Sequence, residues 1–293
     1  MAINSDALLN LAFPAIDHFI SPRDCMLYAL GLGLAADDPS NGSHLRFVYE
    51  KELKCFPTMP VIMGHPGKWQ ENPKFGITRT QVVHGEQGLR LHRPIPVGET
   101  LTAFNKITDV VDKGYGRGAL VFLERDLIDK NSGDRVATIT TTVFARADGG
   151  FGGPPGPKSR LEPMPSDPAD VVLEYTIPLN AALIYRLSGD YNPLHADPDA
   201  ARSAGFSRPI LHGLCTFGIA ARAILEAFCD YDANALVSIN TRFSTPVYPG
   251  EKLQFEMWRF GQSVLFRARV QMRDAMVLNF GRAEIKELLR DQH

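Results

Sequence analysis

The stretch 147–170 constrains this chain most: Gly149-Gly150-Phe151-Gly152-Gly153-Pro154-Pro155-Gly156-Pro157 is followed by Pro163, Pro165 and Pro168. Proline removes a backbone donor and fixes φ, and glycine weakens any regular element, so this segment can continue neither a helix nor a strand ladder. An exposed linker is expected here. It divides the 293 residues almost in half, and each half has the size of an ordinary domain.

The halves resemble each other. Pro94-Ile95-Pro96-Val97-Gly98-Glu99-Thr100-Leu101 matches Pro246-Val247-Tyr248-Pro249-Gly250-Glu251-Lys252-Leu253, a Pro-x-x-x-Gly-Glu-x-Leu pattern in each. Strand-like runs follow at 119–123 and 136–144 in the first half, and at 253–258, 264–270 and 276–285 in the second. Upstream, Pro60-Val61-Ile62-Met63-Gly64 parallels Pro209-Ile210-Leu211-His212-Gly213. Two matches in the same order indicate an internal duplication. In the second half the spacing predicts a helix over 181–187 and a buried one over 217–228, where apolar residues occupy most sides. A helix followed by several strands implies an α+β unit, an antiparallel sheet covering a helix.

Several function classes are excluded by what the chain lacks. A net charge of -2, from 31 basic against 33 acidic residues, gives no overall field for nucleic acid. No run of about 18 apolar residues suits a membrane span, and residues 1–20 hold Asp6, Pro14 and Asp17 without the basic start of a signal peptide. The end Arg290-Asp291-Gln292-His293 is not the Ser-Lys-Leu peroxisomal address. Cys25, Cys55, Cys215 and Cys229 have no paired spacing, which fits a reducing, cytoplasmic compartment. Neither Gly-x-Gly-x-x-Gly nor Gly-x-x-x-x-Gly-Lys occurs in a nucleotide-binding context, so no cofactor is expected. His65, His84 and His92 match no zinc spacing, so no metal is expected either. Cys215 is expected to be a buried, inert thiol, and Arg208 and Arg242 to form ion pairs.

The chemistry is expected in Gly189-Asp190-Tyr191-Asn192-Pro193-Leu194-His195. Gly189 ends a helical segment and Pro193 keeps Asn192 out of the helical region, so Asp190 and His195 stand on a loop. A carboxylate, an amide and an imidazole aimed at one point are the parts of a general acid/base site. Asp-x-Asn-Pro also makes an ordinary turn, so the surrounding sequence has to decide.

That surrounding is Tyr185-Arg186-Leu187-Ser188 before the loop and Pro209-Ile210-Leu211-His212-Gly213-Leu214-Cys215-Thr216-Phe217-Gly218 after it. Together they resemble the type-2 enoyl-CoA hydratase motif of the MaoC-like family. The resemblance extends through Phe56-Pro57-Thr58-Met59-Pro60 and Val82-Val83-His84-Gly85-Glu86-Gln87 into the first half. It implies a double hot-dog fold, two helices each wrapped by an antiparallel sheet. It places Asp190, Asn192 and His195 on catalytic positions and Gly213 on the glycine whose N–H holds the thioester oxygen. His84, Gly85, Lys113, Tyr191, Pro193, Leu194 and Phe243 then line the acyl-CoA site.

The implied reaction is reversible (3R)-specific hydration of trans-2-enoyl-CoA, with acyl-CoA as partner and further homodimerisation common in the family. The first half carries no histidine opposite His195. It is therefore expected to be a non-catalytic domain, 1–146, that accommodates the acyl chain; 147–170 is the linker and 171–293 the catalytic domain. An acyl-CoA thioesterase and a non-catalytic acyl-CoA-binding protein are the alternative classes.

Overall fold

The computed structural model describes residues 3–153, 156 and 162–287. In the first half α1 (Ser5–Leu9), β1 (Ile16–Phe19), α2 (Pro22–Gly31) and α3 (Gly42–Val48) precede β2 (Val82–Leu91), β3 (Thr100–Asp112), β4 (Ala119–Asp129) and β5 (Arg135–Ala145). The second half runs β6 (Val171–Thr176), α4 (Ala181–Tyr185), α5 (Pro198–Ser203), α6 (Gly213–Phe228), β7 (Leu236–Phe243), β8 (Lys252–Phe260), β9 (Ser263–Val270) and β10 (Ala275–Ile285).

All ten strands form one sheet in the order β1-β3-β4-β5-β2-β7-β10-β9-β8-β6, antiparallel at every pair. Read from its outer edge inwards, each half has the same order: first strand, third, fourth, fifth, second. The seam is β2 against β7, where Glu86 lies opposite Arg242 and Arg90 opposite Ser238. The repeated Pro-x-x-x-Gly-Glu pattern makes the same bonds twice. Gly98 N–H donates to Ile20 O and Ile20 N–H to Glu99 O; Gly250 N–H donates to Ile177 O and Ile177 N–H to Glu251 O. Both glycines have positive φ, +85° and +92°, which a side chain would strain.

The halves differ in what the sheet wraps. In the second, α6 is buried from Cys215 through Leu225 and shares a core with Phe255, Met257 and Phe266 of the sheet. In the first, the matching segment after Gly64 forms only short 3-10 turns at Trp69–Glu71, Pro73–Phe75 and Arg79–Gln81. Gly64 itself is left-handed, φ +60°, and Pro66-Gly67 follows at once, so no helix can start. The shorter α2 packs instead into the shared core through Cys25, Tyr28 and Ala29.

The segment expected to be an exposed linker is tied down at both ends. Asp112 accepts the N–H groups of Gly150 and Gly152, and Asp148 holds Thr78. At the other end the Trp258 indole donates to the carbonyls of Asp167 and Pro168. The remaining linker positions 154, 155 and 157–161 lie outside the described residues. Among the described residues no helix is long and apolar enough to cross a membrane.

Candidate active site

The loop 189–195 follows α4 and one 3-10 turn, Arg186–Ser188, which Gly189 ends at φ +117°. A second 3-10 turn, Pro193–His195, is capped by Asn192, whose Oδ1 accepts the Leu194 N–H at 3.1 Å. Asp190 Oδ1 accepts the Asn192 N–H at 3.2 Å, leaving its second oxygen free for other chemistry. The Asn192 side-chain oxygen thus shapes the turn that carries His195.

His195 is buried, and its Nδ1–H donates to Ile210 O at 2.8 Å. That bond fixes the tautomer and leaves Nε2 as the free, basic nitrogen. Burial pushes its pKa below the ordinary 6.5, which keeps the ring neutral near neutral pH. The His212 ring stacks on it, centroids 3.7 Å apart at 27°, and His212 Nε2 donates to the Asp190 carbonyl at 3.1 Å. Burial and the adjacent His195 hold His212 down at about 4. His212 therefore locks Asp190 and His195 together as a neutral spacer. The sequence reading gave His212 no role; its place immediately before Gly213 in the repeated segment was the available signal.

Ligand-type atoms of Asp190, His195 and His212 lie within 4.8 Å of one another. A metal ion sits in the plane of each imidazole that binds it, and two nearly parallel stacked rings cannot both aim lone pairs at one ion. The cluster suits proton transfer better.

Gly213 is the first residue of α6, following His212 at the N-cap. The N–H groups of Gly213 and Leu214 have no acceptor among the described residues, so they and the helix dipole form a preorganised site for an oxyanion. A Cβ at Gly213 would come within 3.3 Å of Phe243. Phe243 in turn meets the His84 ring edge-on, centroids 4.7 Å apart.

His84 arrives from β2 across the seam. A bulge at Gly85 interrupts the β2–β5 register between His84 and Glu86, and such a bulge re-aims the neighbouring side chain. Burial holds His84 at about 4, with the Glu86 backbone and the Gln87 side chain opposing the shift, and its Nε2 is buried without a partner among the described residues.

The structure thus joins Asp190, His195, Gly213, Phe243, His84 and Gly85 around the seam. Tyr191 is exposed beneath Arg186, Pro193 is exposed and Leu194 half-buried on the loop's outer side. Lys113 is exposed beyond β3, three strands from β2 and so roughly 14 Å away. Cys215 is fully buried with its thiol on Gly31 O, and burial pushes its pKa far up. Arg242 forms an ion pair with Glu86 at 2.6 Å.

A duplicated antiparallel sheet around one buried helix defines the class: a double hot-dog protein. Residues 161–278 match the model of the "MaoC like domain" and residues 19–147 that of the "MFE-2 hydratase 2 N-terminal domain". The chain belongs to the MaoC-like hydratase family.

Among its relatives, the probable enoyl-CoA hydratase 2 of Dictyostelium discoideum is 37% identical, over 98% of both chains. The peroxisomal multifunctional enzyme type 2 of Mus musculus is 37% identical over 91% of this chain but only 36% of its own length. This chain thus spans about a third of that relative. The crystal structure of a MaoC-like dehydratase from Phytophthora capsici superposes with a TM-score of 0.86 at 34% identity, over 98% of this chain and 100% of that one.

Proposed function

We propose that the protein adds water reversibly across the double bond of trans-2-enoyl-CoA thioesters, giving (3R)-3-hydroxyacyl-CoA, in fatty-acid metabolism. One observation carries the reading: His195, with Nδ1 occupied and Nε2 free, stands beside the Asp190 carboxylate and near the open N–H end of α6. Relatives named enoyl-CoA hydratase 2 support the same chemistry.

In hydration, His195 Nε2 takes a proton from water as its oxygen bonds to C3. Electron density moves through C2 to the thioester oxygen, where the Gly213 N–H stabilises it. The Asp190 carboxylate orients the water, takes over the proton held by His195 and delivers it to C2 on the same face, so both groups end as they began. Asn192 acts through the turn it caps. His84, Gly85 and Phe243 hold the acyl group near the seam; Tyr191, Pro193, Leu194 and Lys113 belong to the path of the CoA moiety. The division into an acyl-accommodating half 1–146, a linker 147–170 and a catalytic half 171–293 is part of this proposal, supported by the absence of a His195 counterpart in the first half. A cytoplasmic location goes with it, supported by four unpaired buried cysteines.

The test follows the conjugated enoyl-thioester absorbance of crotonyl-CoA together with a thiol reagent. Loss of absorbance without thiol release supports hydration. Thiol release from saturated acyl-CoA indicates a thioesterase, and binding without either signal a carrier. Chiral analysis of the product reads the stereochemistry.

A further inference from the structure

On the inner face of the first half, a buried arginine interrupts an apolar row. Along β4 the inward residues are Ala119, Val121, Leu123, Arg125 and Leu127, and Arg125 is only 6% exposed. Its Nη1 donates to the carbonyls of Met63 and Val61, while Nε is buried without a partner among the described residues. Among the described residues no carboxylate pairs with it; burial alone pulls its pKa down to about 10. A buried cation without a counter-ion is costly and calls for a compensating anion.

The duplication shows what this position would otherwise hold. Arg125 lies opposite Asn105 in the β3–β4 ladder, as Phe266 lies opposite Met257 in β8–β9. Counting from Leu101 and Leu253 of the repeated pattern, Asn105 and Met257 are equivalent. The second half thus places an apolar Met/Phe pair in the core it shares with α6. The first half has an Asn/Arg pair where no such helix exists.

Over that pair is a cavity of about 40 Å³, lined among others by Arg125, Asn105, Thr141, Gln70 and His65, enough for a small polar group. Glu124 also borders it, but its carboxylate is tied to Lys106 at 2.7 Å. Thr141 donates to Gln87, three residues after His84 in the seam strand β2. That bond links the cavity to the strand that also carries His84 to the candidate site.

We infer that this cavity is a specificity subsite for the far end of the acyl chain, with Arg125 and Asn105 receiving a terminal carboxylate. The inference rests on the hydratase reading and deepens it: the favoured substrates are enoyl-CoA thioesters whose acyl group ends in an anion rather than a methyl.

The test uses the whole protein and matched pairs of trans-2-enoyl-CoA esters, from medium to long chains, each pair ending in methyl or carboxylate. At the length that spans loop and cavity, the carboxylate ester should have the higher kcat/KM by about 10- to 100-fold, the range of a charge-assisted hydrogen bond. R125Q should collapse that ratio towards one, and R125K should retain part of it. A wild-type preference for the methyl ester at every length overturns the subsite, as does an unchanged ratio in folded R125Q. The wild-type pairs decide the matter if R125Q does not fold. Hydration of methyl esters alone leaves the hydratase reading standing and removes the subsite; hydration of neither removes both.

Discussion

At the residue scale, the proposed chemistry rests on which nitrogen of His195 is free. With Nδ1 bound to Ile210 O, Nε2 is the ring nitrogen left to accept a proton in the proposed hydration. Replacing His195 with Ala, or Asp190 with Asn, should lower kcat by roughly 10²- to 10⁴-fold with the fold retained; near-normal hydration by both variants overturns the assignment. Because burial depresses the His195 pKa, the base stays neutral to lower pH than a free imidazole. The acid limb of kcat/KM should therefore fall below pH 6.5, and a limb above that value contradicts the burial argument. The same direction bears on stability. Folded His212 titrates at about 4 against an ordinary 6.5, so the unfolded chain binds more protons between these values. Stability should be complete above pH 6.5 and decline as pH falls towards 4, read as a falling urea midpoint. The loop itself was legible, since Gly189, Asn192 and Pro193 act on their own backbone. His212 was not, because its stacking partner and the carbonyl it holds are 17 and 22 positions away.

At the scale of elements, two similar segments take opposite courses. Pro209 to Gly213 leads into α6, whereas Pro60 to Gly64 leads into 3-10 turns. The residues after each glycine explain it: Pro66-Gly67 in one case, an Ala-, Ile- and Leu-rich run in the other. The α6 helix is fastened to the first half by Arg222, 5% exposed, whose Nη1 donates to Gly33 O at 2.8 Å and Leu32 O at 3.4 Å. These carbonyls lie just past the end of α2, where a cation is favoured. Replacing Arg222 with Ala should cost about 2–3 kcal/mol in urea unfolding, as two charge-assisted bonds are lost in a buried place; an unchanged midpoint would show that the bonds add nothing. The strands at 119–129, 135–145, 252–260, 263–270 and 275–285 were visible in part from their apolar runs. β2 was missed because Gly85, Gln87 and Gly88 break its alternation, the first at a bulge and the second on the buried face.

At the scale of the molecule, β2 and β7 join the halves into one sheet, and the Arg242–Glu86 pair lies across the seam. Separating them would bare two long strand edges and divide a common core. Unfolding in urea should therefore be a single transition, with circular dichroism and activity lost together; two separated transitions would mean that the halves fold independently. By itself the sequence determined the duplication, the position of the Gly/Pro segment, the buried α6 and the loop bearing Asp190 and His195. Each of these is written in neighbouring residues, through turn chemistry or periodicity. Only the tertiary structure decided that His212 stacks on His195, that His84 and Phe243 meet at the seam, that the linker ends are anchored, and that Arg125 faces inward beneath a cavity. Those outcomes depend on strand register and packing between residues far apart in the chain, where a one-residue slip reverses the face a side chain occupies.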